Sequence, residues 1–310
     1  MATETQTGDE SEGGPFRRWV SGSITNPQRT YRALFYVAMI FFMLTTLFPF
    51  YWLVVLALTP TNLISDMGLT PEGFYPASFI EVFQQEPFHL YVFNSFVLAI
   101  ATTIIILLIG SLAGYVFGRL EFPGRGPLLL LILAVSYFPP AAFFTPLFRL
   151  FSGNISLLGV QAPNLLNTPA AMVTPFTALF MPLSIFILTT FYGQIPDGLE
   201  DAARIEGTTR LGALFRVIIP LSAPGVATAA VLTFISVYNE YFFSFLMVTS
   251  GEPGNWAPLV YGITNYQTQY QTSYNLMAAA SIIGVVPVAI LVVVAQEKIV
   301  SGLTAGALKE

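Results

Sequence analysis

The sequence predicts an all-α membrane protein with six transmembrane helices, both termini in the cytoplasm, and one charged cytoplasmic loop between the fourth and fifth spans. Three observations predict it. Of 310 residues, 55% are hydrophobic and only 9% charged, where soluble domains carry about a quarter charged residues. The apolar residues fall in runs that reach the roughly 20 residues needed to cross a bilayer. The 12 basic residues sort almost entirely to one side of those runs.

Residues 1–31 hold Gly, Ser, Thr and acids with no apolar period, and are expected as a disordered cytoplasmic tail ahead of a single transmembrane domain over 32–310. No charge occurs from Ala33 to Ser65, and Ala33 to Leu58 alone is 26 residues. That is too long for a signal-peptide core of about 7–15 residues and long enough for a span. A second charge-free run covers Pro87 to Gly118 and a third Gly126 to Phe148. The fourth, Leu150 to Pro196, is too long for one helix; its Gly-, Asn- and Pro-bearing part, Ser152 to Thr168, reads as an external loop, which leaves about Ala170 to Tyr192 as the span. Ala223 to Val248 and Leu276 to Gln296 complete the six. Prolines inside the runs (Pro139, Pro140, Pro146, Pro175, Pro182, Pro287) free backbone carbonyls and permit kinks.

With the N-terminus inside, Arg17, Arg18, Arg29, Arg32, Arg119, Arg125, Arg204, Arg210, Arg216, Lys298 and Lys309 all face the cytoplasm and only Arg149 faces out, the bias that sets orientation. Scattered basic residues and a net charge of −5 give no nucleic-acid footprint. Ten of the basic residues are Arg, which together with the acidic balance suits the high-salt cytoplasm of a halophilic archaeon, though a GC-rich genome gives the same bias. There is no Cys and one His, His89, so disulfides, thiolate metal sites and His clusters are excluded. The lysines, Lys298 and Lys309, stand in no Gly-x4-Gly-Lys-[Ser/Thr] loop, so any ATP and Mg2+ belong to another polypeptide. The His-Glu-x2-His and Gly-x-Ser-x-Gly constellations are missing as well, which argues against the obvious hydrolases.

The charged loop, Asp197 to Pro224, is where function concentrates. Leu199 to Ile205 fits a short helix with acids in its first turn and Gly207 ending it. Leu211 to Ile219 fits a second, with its apolar side expected on the lipid surface. Two short helices joined at a glycine make a compact knob suited to docking.

Asp201-Ala202-Ala203, then Gly207, then Val217-Ile218-Ile219-Pro220 resemble the EAA loop of binding-protein-dependent ABC importers, with Asp201 where that family usually has Glu and Val217 and Ile219 for Ile and Leu. The likeness runs from about Asn94 to Glu310. Asn94-Ser95 begins the second span as in sugar permeases, Ala113-Gly114-Tyr115 to Phe122-Pro123-Gly124-Arg125 matches the turn into the third, and Tyr238-Asn239-Glu240-Tyr241 stands where they commonly carry W-N-E-F. Gly302 to Lys309 is similar to the tail that reaches the ATPase in the maltose-type, MalG-like subunits.

The resemblance implies a non-enzymatic permease subunit of a carbohydrate importer in a prokaryotic plasma membrane. Its partners would be a second, MalF-like permease, two cytoplasmic ATPases, an external sugar-binding protein and membrane lipid, with no nucleic acid and no cofactor in this chain. Asp201, Ala202, Ala203, Glu206, Gly207, Thr208 and Arg210 are then the ATPase-docking candidates, and Asn94, Tyr238, Asn239 and Glu240 the pathway candidates. Glu240, the ionisable residue read as lying well inside a span, costs about 2.5–3.5 kcal/mol on insertion scales and must face protein or water; it is a pathway lining or a state-dependent contact, or equally a static polar contact. The loop Ser250 to Asn275, with Trp256, Tyr261, Tyr266, Tyr270 and Tyr274 among Asn and Gln residues, is open to three readings: sugar contact, receptor contact or an interfacial aromatic belt. Maltose, trehalose, glucose and the pentoses all remain open as the sugar, and importers of other solutes, secondary transporters and intramembrane enzymes are the rival classes.

Overall fold

The computed structural model describes residue 14 and residues 27–157, 159–268 and 272–305. The chain divides into two compact units, Met1–Val55 and Leu56–Glu310. The tail read over 1–31 lies outside the described residues except for residue 14 and residues 27–31, which already belong to the first helix.

Among the described residues the first unit holds one helix, α1, Pro27–Ala57, whose last two residues fall in the second unit. At 1.5 Å per residue its 31 residues exceed the roughly 30 Å hydrocarbon core. Beyond Arg32 it is apolar, with a mean hydropathy of 2.1 over its most apolar stretch, as a membrane span requires. Thr45 Oγ1 donates to the Phe41 carbonyl at 2.8 Å, one turn before the internal Pro49.

The second unit is built on α3, Phe88–Arg119, preceded by the short α2, Ser78–Gln85. Helix α3 packs along α6, Pro169–Tyr192, and three glycines at four-residue spacing, Gly110, Gly114 and Gly118, explain how closely. A Cβ at Gly114 would stand 2.8 Å from Leu188 Cβ, and one at Gly118 3.0 Å from the Thr189 carbonyl oxygen and 3.1 Å from Tyr192 Cβ. With no hydrophobic drive between helices in lipid, small residues that let backbones approach supply the packing. Tyr192 donates to Ser111 Oγ at 3.0 Å across the same contact.

Two expected spans are not continuous helices. The third divides into α4, Arg125–Ser136, a 3-10 turn at Pro140–Phe143, and α5, Phe144–Phe151, bent by 83°. Pro139 and Pro140 force it: proline offers no N–H and excludes the helical conformation from the residue before it. A two-residue hairpin follows, β1 (Ser156–Leu157) with β2 (Val160–Gln161), so the polar stretch after Phe151 is a loop as expected.

The fifth span begins after the charged loop. That loop holds α7 (Asp197–Ile205), α8 (Arg210–Ala213), a π-turn (Leu214–Ile218) and α9 (Ile219–Leu221). The chain then turns by 84° into α10, Ala223–Tyr238. Instead of continuing to Val248, the helix stops at Tyr238, and a separate α11, Phe242–Met247, follows. After α12, Leu259–Thr264, the last helix α13 runs Tyr274–Ala305. Gly306 to Lys309, the end of the expected ATPase-reaching tail, lie outside the described residues.

Helix α10 meets α3, α6 and α13. Hydrogen bonds fix the contacts: Ser184 and Thr233 hydroxyls lie 2.9 Å apart, and Tyr238 donates to the Gly284 carbonyl at 3.0 Å. Among the described residues, and counting α1, four helices are long and apolar enough to cross a membrane alone, and up to six spans result if each bent pair, 125–136 with 140–151 and 210–221 with 223–238, is one crossing.

Candidate docking site

Helix α7 follows Pro196, whose extended backbone (φ −58°, ψ 135°) leads into a first turn carrying Asp197 and Glu200. Acids there favour the positive end of the helix dipole. The helix ends in a Schellman motif: Gly207 N donates to the Arg204 carbonyl and Thr208 N to the Ala203 carbonyl, both at 3.0 Å, with Gly207 at φ +91°. Only glycine takes that conformation without strain, which is why the sequence stops the helix here. Thr209 then caps α8, its Oγ1 accepting from Gly212 N at 3.1 Å.

Most of the expected docking residues are open to solvent. Asp201, Ala202, Glu206, Gly207 and Arg210 are exposed, with Ala203 and Thr208 half-buried. Asp201 makes a 3.6 Å pair with Arg204 that is open to solvent on both sides, of the kind that contributes little. Among these charges stand bare apolar side chains: Ile205 is 88% exposed, with Leu199 and Leu211 beside it in the chain and also exposed. The second helix differs from expectation. Part of its apolar side faces protein: Ala213, Leu214 and Ile218 are fully buried, and Leu214 and Ile218 pack in the cluster of Tyr115, Leu188, Tyr192 and Ala229, while Leu211, Phe215 and Leu221 are exposed. The π-turn that places them sits directly before Pro220, whose ring and missing N–H disrupt regular α bonding.

What the sequence reading missed is the underside of α7. Glu200, next to Asp201 but about 100° round the helix, is buried, its Oε1 accepting from Tyr115 Oη at 2.5 Å and its Oε2 from Arg119 Nε at 2.9 Å. Arg119 also reaches Asp197 Oδ1 through Nη2 at 2.9 Å and donates through Nη1 to the Ile195 carbonyl at 2.5 Å. The available signal was Arg119 as the charge that ends the long neutral run from Pro87.

The pathway candidates do not form one site. Asn94 is buried near the other end of α3 and donates to the carbonyls of Pro253 (2.8 Å) and Ala257 (3.0 Å). Tyr238 is buried against Phe234 and Phe96. Asn239 is exposed and folds back onto the Ile235 carbonyl at 2.8 Å. Glu240 lies in the break, not within a continuous helix: its Oε1 accepts from Phe243 N at 3.0 Å and its Oε2 from Ser244 N at 3.2 Å and Ser244 Oγ at 3.3 Å. A helix that starts inside an apolar region leaves N–H groups without partners, and this carboxylate supplies them while facing the positive end of the dipole. Beside α11 lies an open cavity of about 320 Å³ lined by Phe144, Phe148, Phe245, Leu246, Thr249 and Tyr261.

In the loop 250–275 the polar and aromatic side chains turn largely inward. Tyr266 is buried and donates to the Val82 carbonyl at 2.7 Å, Asn265 donates to Tyr91 Oη at 2.8 Å, and Tyr261 stacks on Phe245. Tyr270 lies outside the described residues. Among the described residues no group of three or more His, Cys, Asp or Glu is placed to hold a metal ion.

Residues 107–304 match the family described as binding-protein-dependent transport system inner membrane component. The chain belongs to this family. As such an inner membrane component it is a multi-pass permease subunit and not an enzyme. Similar proteins include the sulfoquinovosyl glycerol transport system permease SmoH of Agrobacterium fabrum, 37% identical over 90% of this chain and 94% of its own length. The trehalose transport system permease SugB of Mycobacterium tuberculosis is 32% identical over 85% and 92%, and the trehalose/maltose permease MalG of Thermococcus litoralis 33% over 90% and 97%. In fold the permease resembles a bacterial ABC transporter for alginate import, with a TM-score of 0.71 at 18% identity over 87% of this chain and 97% of that one. A second structure, of an alginate ABC transporter with its pentasaccharide-bound periplasmic protein, gives 0.66 at 16% identity over 89% and 94%.

Proposed function

We propose that this permease forms one half of the translocation pathway of an ATP-driven carbohydrate importer, working with a second permease, two cytoplasmic ATPases that bind ATP and Mg2+, and an external sugar-binding protein. The observation that carries the reading is the knob of α7 and α8. It presents Ile205, Ala202 and Leu211 bare among Asp201, Glu206 and Arg210, a surface made to enter a cleft on another protein. A side chain such as Ile205 gains about 1.5–3 kcal/mol on leaving water. The relatives' substrates, glycosides and trehalose or maltose, support a sugar or glycoside as the solute. Six spans with both termini cytoplasmic follow if each broken helix is one crossing, and the eleven-to-one basic bias supports that topology. The compartment is a prokaryotic plasma membrane.

Two measurements test this. A reporter fused after Thr209 is expected inside and one after Gln267 outside; the reverse would leave the knob no access to a cytoplasmic ATPase. Co-purification of the ATPase with the intact complex is expected to survive in the wild type and to fail in Asp201→Lys and Gly207→Pro, which reverse a charge and forbid the left-handed cap. If association and transport both persist in these variants, docking lies elsewhere. Sugar uptake by the chain with no ATPase would favour a secondary transporter instead.

A further inference from the structure

Asp197 to Ile205 is joined to the preceding span α6 through Gly193, Gln194, Ile195 and Pro196, a link whose backbone N–H groups bond back to α6 (Gly193 N to the Thr189 carbonyl, Gln194 N to Phe191, Ile195 N to Tyr192) and not forward into α7. A knob held only by such a link would swivel, and movement of its docking face would be absorbed before reaching the spans. The structure provides a second, direct connection. The last turn of α3 contributes Arg119, whose side chain is only 4% exposed, and its guanidinium divides three ways: Nε to Glu200, Nη2 to Asp197 and Nη1 to the Ile195 carbonyl. Tyr115, one turn earlier on α3, donates to the other oxygen of Glu200. Both Glu200 oxygens are therefore bound to α3, and Glu200 is itself buried. A planar guanidinium holding several partners fixes orientation as well as distance, which a flexible ammonium does not. Above this node α3 is seated on α6 through Gly114 and Gly118.

We propose that Arg119, Glu200 and Tyr115 form a coupling clamp: positioning residues that make the docking helix α7 and the inner end of α3 one rigid body, so that movement imposed on the knob is delivered to the span. The inference rests on the docking reading above and adds which residues carry the motion inward. None of the three belongs to the exposed docking face.

The clamp is tested in the full reconstituted complex with its ATPases and loaded binding protein. The chain has no Cys, so a spin-label pair is introduced at Gly198→Cys, on α7 where an added Cβ meets nothing within 4 Å, and at Glu121→Cys, exposed just past α3. In the wild-type background the distance between labels is expected to stay the same, with one narrow distribution, in the resting and ATP-trapped states. In Arg119→Lys, which keeps the positive charge but not the fork, and in Tyr115→Phe, the distribution is expected to broaden and to differ between states. Sugar moved per ATP hydrolysed is expected to fall several-fold in these variants while the ATPase still co-purifies. A purely structural role would lower the yield of complex and leave that ratio intact. An unchanged distance and an unchanged transport-to-hydrolysis ratio in both variants would overturn the clamp. A wild-type chain that binds no ATPase would overturn the docking reading and the clamp together, and is told apart by the co-purification itself.

Discussion

The two ends of α3 are tied down by opposite chemistry. At Arg119 a single charged side chain gathers three partners from one short segment, 195–200. Around Tyr91, Asn94 and Ser95 the bonds to the loop 250–265 are neutral and spread: Tyr91 donates to Gly251, Asn94 to Pro253 and Ala257, and Ser95 Oγ accepts from Leu259 N at 2.8 Å, with one long 3.4 Å contact from Tyr91 to the Glu86 carboxylate outside that loop. Neutral bonds to several carbonyls share a load, and losing one leaves the others in place. A charged node is all or nothing, because removing one partner strands a buried charge on the other. The neutral bonds hold a loop in shape, whereas the charged node makes a joint that either transmits or fails.

The comparison is broken most directly at the charged end. Arg119→Leu leaves the Glu200 carboxylate buried with only Tyr115, and is expected to destabilise the permease by about 3–5 kcal/mol, read as a fall in the temperature at which the detergent-solubilised complex loses its ATPase. The exposed arm to Asp197 adds little to that figure, since Asp197 is 89% exposed. A loss no larger than that of a surface Arg variant would make the two ends alike. At the neutral end Asn94→Ala strips two carbonyls of their donor and is expected to cost about 1–3 kcal/mol. The damage should stay local, appearing as faster amide exchange over 250–262 with the docking segment unchanged; spread to α7 would contradict the division of labour.

Smaller effects sharpen the picture. Gly207→Ala meets no neighbour within 4 Å but must hold φ +91°, at about 1–2 kcal/mol. Because Gly207 lies beyond the clamp, it should weaken ATPase binding without altering the α7–α3 label distance. Glu240→Gln gives a case of charge without an ion pair. The amide retains one acceptor for Phe243 or Ser244 and is expected to cost about 0.5–1.5 kcal/mol, with the complex assembled and sugar-stimulated ATPase lowered. Stimulation equal to wild type would reduce Glu240 to a helix cap.

Much of this was legible from residues alone, and the exceptions share a cause. The neutral run places α3 to within a residue of its boundaries, because length and absence of charge are what a span needs, while α6 is placed as closely only once the Gly-, Asn- and Pro-bearing stretch before it is read as a loop. The acids at 197–201 and Gly207 marked both ends of the docking helix for local reasons that hold in any context. The third span's break was signalled by Pro139-Pro140, yet hydropathy reports no direction and so cannot show a bend of 83°. The fifth span's break has neither Gly nor Pro at 239–241; it depends on Glu240 capping α11, a bond invisible until the turn has formed. Glu200 and Asp201 are adjacent acids with opposite fates, and only knowledge of what lies over the helix separates them.

The glycine face of α3 also governs how the gene can change. Every replacement of a glycine adds at least a Cβ, and at Gly114 that atom would meet Leu188 at 2.8 Å, whereas at Gly126 or Gly198 it would enter open space. Among codons of the same kind, then, some can drift freely and others are frozen unless a second mutation on α6 makes room first. Paired substitutions along the 110–118 and 184–193 segments are the route by which descendants of this sequence can alter the spacing of their two central helices.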